Sequence, residues 1–265
     1  MAQTVIAVDH LNAHYGKQQV LYDINLEVKQ GEIMVIMGGS GSGKSTLLKH
    51  LLALQLPTAG EVHIDGLPIA SATSKDLKLL RRKMGVAFQG GALLSSLTVG
   101  ENIRLPLEHN SNLDRQTIDI MVRMKLELMN LAGFENLMPS ELSGGMLKRA
   151  GLARAVVMDP KILFFDEPSA GLDPVTSVEL DELILKLRAA MNMTMLIVTH
   201  ELESAFKIAD RIMVLFDGKV ATIGTVEEIK NSPDERIQNL IHRRPRDEIT
   251  DGDAYLKRLV GGGGR

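Results

Sequence analysis

Gly38-Gly39-Ser40-Gly41-Ser42-Gly43-Lys44-Ser45 constrains this chain more than any other stretch. It matches the spacing G-x-x-x-x-G-K-[ST], and its setting matters as much as the spacing. The preceding run Ile33–Met37 is continuously apolar, the pattern of a strand buried on both faces of a parallel sheet. The following residues, Ser45–Leu56, read as a helix. Glycines at Gly38, Gly39, Gly41 and Gly43 let backbone N–H groups converge on phosphate oxygens with no Cβ in the way. The helix N-terminus adds a favourable dipole there. Lys44 is expected to reach the β- and γ-phosphates, and Ser45 to place its hydroxyl on Mg²⁺, with Thr46 as a neighbouring donor.

Two further apolar runs, Ile162–Phe165 and Met195–Val198, repeat the buried-strand pattern. Leu21–Val28 alternates instead, as do Val62 and Ile64 before an Asp65-Gly66 turn, so the first stretch reads as strands and hairpins. Helical patterns fall on Thr117–Leu131, Met146–Met158 and Thr176–Met191. Strands alternating with helices predict a mostly parallel α/β sheet. Gly91–Met158 shows no strand pattern and reads as an inserted helical unit, closed by Pro160. Ile212–Phe216 and Val220–Ile223 flank Asp217-Gly218 as a hairpin. A short helix follows Thr225, then the polar stretch His242–Arg246, read as a solvated tail, and the run Gly261–Gly264, read as an appended remnant. The chain has no internal repeat, so one nucleotide unit is expected.

The strand Ile162–Phe165 ends in Asp166-Glu167. A carboxylate at a strand end suits a Mg²⁺ shell, the role expected of Asp166. Glu167 points differently and can orient and deprotonate a water. That pairing favours water as acceptor, hence hydrolysis over transfer to a substrate hydroxyl.

Composition excludes several classes. The 265 residues suffice for one large α/β domain with an insert. A net charge of -3 gives no general drive toward nucleic acid or an anionic membrane, and no nucleic-acid partner is expected. Absence of Cys removes disulfides and thiolate metal sites. The N-terminus shows no secretory pattern, and no apolar run approaches the roughly 18–20 residues that span a bilayer. A membrane role must then run through a partner. The 14 Met residues read as core gap-fillers.

Leu142-Ser143-Gly144-Gly145-Met146 narrows the class. Ser143, Gly144 and Gly145 before a helix make a second anion-binding N-terminus, and it must serve a different nucleotide from the first. At this point the chain resembles the ABC ATPase family over about Val5 to Ile229. The resemblance implies a P-loop NTPase (RecA-like) α/β core, residues 1–90 and 159–225, carrying an N-terminal antiparallel β subdomain. It also implies a helical signature subdomain, 91–158, and a C-terminal extension, 226–265. ATP with Mg²⁺ is the implied ligand, and a head-to-tail dimer is the implied assembly, Leu142–Gly145 of one copy closing on the ATP held by Lys44 of the other. By the same resemblance Tyr15 stacks on adenine, and Gln89 meets Mg²⁺ and the attacking water. Ser169–Asp173 runs along the dimer interface, and His200 senses the γ-phosphate. Singly, a Tyr, Gln or His is usually packing or surface; the ordered set is not.

Two positions depart from the common family pattern. Met146 stands where most members have Gln, so a polar contact is lost while the helix dipole and Ser143 remain. Gly39 replaces a frequent Pro, which should be nearly neutral. Phe88–Val99, Glu101-Asn102-Ile103, Leu105-Pro106-Leu107, Met138–Glu141 and Lys148-Arg149-Ala150 resemble a narrower group, the ATPases of MCE-type (Mla) phospholipid-transport systems. There Met146 is a group trait. That group implies a membrane permease, an MCE-domain protein and often a small STAS-domain subunit. It implies a peripheral location on the cytoplasmic face of the bacterial inner membrane. Asn231-Ser232-Pro233-Asp234 and the helix after it resemble the group's C-terminal extension, which contacts the partner ATPase. Leu94–Glu101 is the expected transmission surface to the permease. An importer ATPase for amino acids or small ions, or a soluble cofactor-assembly ATPase, stays open as an alternative on the sequence.

Overall fold

Two long antiparallel strands, β1 (Thr4–Tyr15) and β2 (Gln18–Lys29), lead into the apolar run Ile33–Met37, which forms β3. This is a computed structural model, and it describes residues 3–244. The chain continues through α1 (Lys44–Leu51), β4 (Ala59–Ile64), β5 (Leu67–Pro68), α2 (Ser74–Arg82) and β6 (Met84–Ala87). Helices α3 (Val99–Asn110), α4 (Arg115–Leu128) and α5 (Gly144–Ala155) follow without an intervening strand. Then come β7 (Ile162–Asp166), α6 (Pro174–Met191), β8 (Thr194–Val198), α7 (Leu202–Ile208), β9 (Arg211–Phe216), β10 (Lys219–Thr225), α8 (Val226–Lys230) and α9 (Glu235–Ile241).

The strands form two sheets. A six-stranded sheet runs β10-β9-β3-β8-β7-β6, parallel except for the β9–β10 hairpin, and a four-stranded antiparallel sheet runs β2-β1-β4-β5. Every residue of β3 is buried, and its alternation splits the side chains between two cores. Ile33, Val35 and Met37 join Leu163, Phe165, Met195 and Ile197 under helices α3 to α9. Met34 and Ile36 join Phe164, Leu196 and Val198 under the antiparallel sheet and α1. The large sheet is thus the middle of three layers, and its continuous apolar strands are what such a position requires. Fully burying one such aliphatic or aromatic side chain stabilises the fold by roughly 1.5–3 kcal/mol.

Helix ends shift from expectation where capping, not periodicity, decides. Helix α1 stops at Leu51 instead of Leu56 because Ala53 turns left-handed and Leu54 N–H closes on Lys49 C=O at 3.0 Å. Leu54 and Leu56 are left exposed, so their apolar spacing had no core to serve. Asp114 caps α4 two residues early, Ser143 caps α5, and Asp173 caps α6 with Pro174 at its first turn. Helices α8 and α9 follow Thr225 and Asp234, where helices were expected, and Ile229 and Ile237 sew both into the core. Pro245, Arg246 and Gly261–Gly264 lie outside the described residues. Among those described, no helix is long and apolar enough to cross a membrane.

Candidate active site

The loop Gly38–Gly43 leaves the C-terminal end of β3, the central strand, where open α/β sheets place their ligands. Its geometry is enforced from both sides. Gly38 has φ +156°, and a Cβ there would stand 2.3 Å from the Leu215 carbonyl and 2.6 Å from Ser42 Oγ. On the other side the Gly218 N–H of the β9–β10 turn donates to Ser42 C=O at 3.1 Å, pinning the loop to that hairpin. Lys44 is 8% exposed, and its ammonium donates to Gly38 C=O (2.8 Å) and Gly39 C=O (3.1 Å). Burial holds its pKa below the usual lysine value, with Glu167 and then Asp166 pulling the other way. An anion in the cradle would restore the charge that burial disfavours.

Strand β7 sits two places along the sheet and delivers Asp166 and Glu167 at the same edge. Asp166 is pushed above the usual carboxylate range, first by burial and then by repulsion from Glu167, against the attraction of Lys44. A carboxylate desolvated in this way is suited to a cation. Glu167 itself takes φ +49° while its N–H donates to Val198 C=O at 2.8 Å. His200, just past β8, presents both its backbone N–H (3.2 Å) and its ring Nδ1 (2.8 Å) to Glu167 Oε2. The ring is half exposed, whereas Glu167 is largely covered.

One cleft of about 800 Å³ gathers Gly38–Gly41, Lys44, Ser45, Gln89, Asp166, Glu167 and His200. Of the remaining loop residues, Ser42 is buried with its Oγ unpartnered, Gly43 is the left-handed cap of α1, and Thr46 is buried on that helix. Tyr15 is not on the cleft wall. It stands half exposed at the β1–β2 turn, with the Lys49 ammonium of α1 5.9 Å from its ring centre. The structure therefore joins it to the first turns of the phosphate helix without closing it over the loop.

Ser143, Gly144 and Gly145 line no part of this cleft. Ser143 Oγ accepts from Met146 N–H at 3.3 Å as the cap of α5, and Gly144 has open space where a Cβ would be. A Cβ on Gly145 would meet Thr176 Cγ2 at 2.8 Å, so α5 and α6 approach closely there. Met146 turns inward against the helical core, the environment an apolar side chain prefers over Gln.

Several supporting residues carry no motif. The Lys148 ammonium, on α5, donates to the carbonyls of Pro168 (2.6 Å) and Ala170 (2.5 Å), tying the signature helix to the loop Ser169–Asp173. Arg154 holds the Gly91 and Ala92 carbonyls just beyond Gln89. Asn102, fully buried, accepts from Leu94 N–H and donates to the carbonyls of Leu94, Leu97 and Thr98, fixing the expected transmission segment. A Lys three places after a glycine pair is the sequence's one clue to Lys148; nothing in the sequence names its partners. His242, Arg243 and Arg244 are exposed, as a solvated tail requires, and the two arginines also border the cleft that holds Lys44.

The model of the family described as "ABC transporter" matches residues 21–170. The chain is 40% identical to the intermembrane phospholipid transport system ATP-binding protein MlaF of Haemophilus influenzae, covering 89% of this chain and 90% of that one. It is 38% identical to the protein of the same name in Escherichia coli K12, covering 93% and 90%. Among solved structures it is similar to the dimeric post-hydrolysis state of the ATP-binding cassette MJ0796 bound to ADP and Pi. The TM-score is 0.76 at 33% identity, over 83% of this chain and 98% of that one.

Proposed function

The chain belongs to the ABC transporter ATP-binding family, and from that premise we propose that it drives phospholipid transport between bacterial membranes as a head-to-tail dimer of ATPases. The observation that carries the dimeric mechanism is the separation of two half-sites on one chain. Lys44, Ser45, Asp166, Glu167, His200 and Gln89 share a cleft, while the Ser143 end of α5 faces outward and lines none of it. A helix N-terminus open to solvent beside glycines is an anion site awaiting its anion. The phosphates bound by a second copy fit it.

Each residue then has a task. The Gly38–Gly43 backbone and Lys44 hold the triphosphate, and Tyr15 with Lys49 forms the face for adenine. Asp166 and Ser45 would supply protein oxygens for Mg²⁺, and Gln89, which lines the same cleft, would be a further ligand. That is few for a protein-only cage and fits a metal carried on phosphate. When bound, Mg²⁺ neutralises charge on the β- and γ-phosphates. Glu167 accepts the proton of the attacking water. His200, donating from its backbone N–H and facing Glu167 Oε2 with Nδ1, orients that carboxylate and leaves the other oxygen to the water. Ser143, Gly144 and Gly145 of the partner copy complete the γ-phosphate's surroundings, so closure and hydrolysis are coupled. Residues 91–158 act as the signature subdomain and 226–244 as the described part of the extension, on the core of 1–90 and 159–225.

Phospholipid as cargo rests on the 40% identity across most of both chains. The group implies a permease, an MCE-domain protein and often a small STAS-domain subunit, and through them a place on the cytoplasmic face of the inner membrane. Purification of the chain from detergent-solubilised membranes tests this. Recovery with a permease and an MCE-domain protein is expected; recovery with amino-acid permeases or soluble scaffolds alone would refute it. Glu167→Gln should keep ATP affinity while accumulating an ATP-bound dimer on size-exclusion chromatography, and near-normal turnover would remove Glu167 as the base.

A further inference from the structure

Helix α9 ends on the phosphate cleft, and it is anchored there. Ile237 is buried, Leu240 and Ile241 pack on the helical core, and the Gln238 amide donates to the carbonyls of Lys230 (3.0 Å) and Ser232 (2.8 Å). Arg236 is committed elsewhere, paired with Asp234 at 2.6 Å and stacked 5.3 Å from the Phe216 ring centre. The helix closes with Arg243 N–H on Leu240 C=O and Arg244 N–H on Asn239 C=O at 2.9 Å. Arg243 takes φ +52° in that closure. Glycine is the usual residue there, because the Cβ of an L residue crowds the backbone in this conformation. The strained turn bends both arginines back to the cleft that holds Lys44, Glu167 and His200. Arg244 also borders the adjoining 390 Å³ groove, which Gly39 of the glycine-rich loop lines as well. Among the described residues, Arg243 makes a loose ion pair, 3.8 Å, with the exposed Glu203.

The charge balance of the cleft explains why cations belong there. Lys44 and the two arginines face Asp166, Glu167 and Glu201. With Lys44 alone the wall would be net negative toward a polyanion. We propose that Arg243 and Arg244 are phosphate-binding residues of the nucleotide site, so that the C-terminal helix forms a wall of the ATP cleft of its own chain. This rests on the ATP-hydrolysing reading of that cleft. The guanidinium fork suits phosphate oxygens, and both side chains start from solvent-exposed positions that can be drawn in by the ligand.

Titration of the full chain with ATP, ADP and AMP, at low and high salt, tests it. Arg243→Gln/Arg244→Gln should weaken ATP binding roughly fivefold to twentyfold, the scale of two partly exposed charge-assisted contacts. ADP should lose less and AMP almost nothing, and the difference should shrink as salt rises. Arg243→Lys/Arg244→Lys, which keeps the charge but not the fork, should recover part of the affinity. Unchanged ATP affinity, an equal loss for AMP, or no recovery with lysine overturns the proposal. Unchanged affinity with lost ATP-driven dimerisation also overturns it and assigns the pair to the second copy. Should the double Gln variant fail to fold by circular dichroism, Arg244→Gln alone, expected to lose about half of the effect in logarithmic terms, decides by the same ladder. Lys44→Ala run in parallel separates the two readings: if it too leaves ATP binding intact, the cleft assignment itself has failed.

Discussion

Lys148→Met removes the clamp between the signature helix and the loop that follows Glu167. The lysine donates to two backbone carbonyls, Pro168 at 2.6 Å and Ala170 at 2.5 Å. Hydrogen bonds to a charged group contribute roughly 1.5–3 kcal/mol each. Two of them suggest about 3–6 kcal/mol, but burial already disfavours the ammonium and lowers its pKa, against the attraction of Glu167. Methionine keeps the apolar stem and removes that burial cost, so a net loss of about 2 kcal/mol is expected. For a chain of this size that lowers the melting temperature by roughly 4–8 °C. The same loop carries Ser169, buried with its Oγ unpartnered, and leads to the Asp173 cap of α6. Loosening it displaces Glu167 relative to the signature helix, and misplacement on the scale of an ångström costs on the order of a hundredfold in turnover. ATP affinity should hold, because Lys148 lines no part of the phosphate cleft. Calorimetry, phosphate-release kinetics and ATP titration on one preparation measure all three. Unchanged melting with unchanged turnover, or a loss of affinity equal to the loss of rate, would refute the reasoning.

Two other outcomes are expected. Gly38→Ala drives a Cβ to 2.3 Å from the Leu215 carbonyl, and backbone cannot yield as a flexible side chain can. ATP binding should fall at least about tenfold, with a destabilisation of roughly 1–3 kcal/mol for overpacking, and normal ATP titration would remove the loop from that role. Asp166 has a folded pKa above its unfolded one, so the native state binds more protons across that window and loses stability as pH rises through it. Nucleotide-free Asp166→Asn should therefore melt above wild type near neutral pH, the gap closing as pH falls below the ordinary carboxylate range. A variant that melts lower at neutral pH contradicts this. The same variant should lose Mg²⁺-dependent turnover.

What the sequence determined was local or periodic. The glycine spacing of Gly38–Ser45, the unbroken apolar runs of β3, β7 and β8, and the Asp166-Glu167 strand end are each written within a few residues. Backbone sterics and two-faced burial leave little freedom at such places, so the strand–glycine loop–helix unit and the layered sheet were legible. Helix ends were less so, because the apolar spacing through Leu56 outruns the point where Ala53 turns the chain. Tertiary structure alone decided which distant groups meet. It put Glu167 against His200, 33 residues on, and Lys148 against the carbonyl of Ala170, 22 residues on. It also brought Arg243 and Arg244 back to a loop some two hundred residues earlier, because Ile229 and Ile237 found a place in the shared core. Those pairings depend on how apolar faces pack between layers, and a residue's own neighbours in the chain carry no record of which face it will be pressed against.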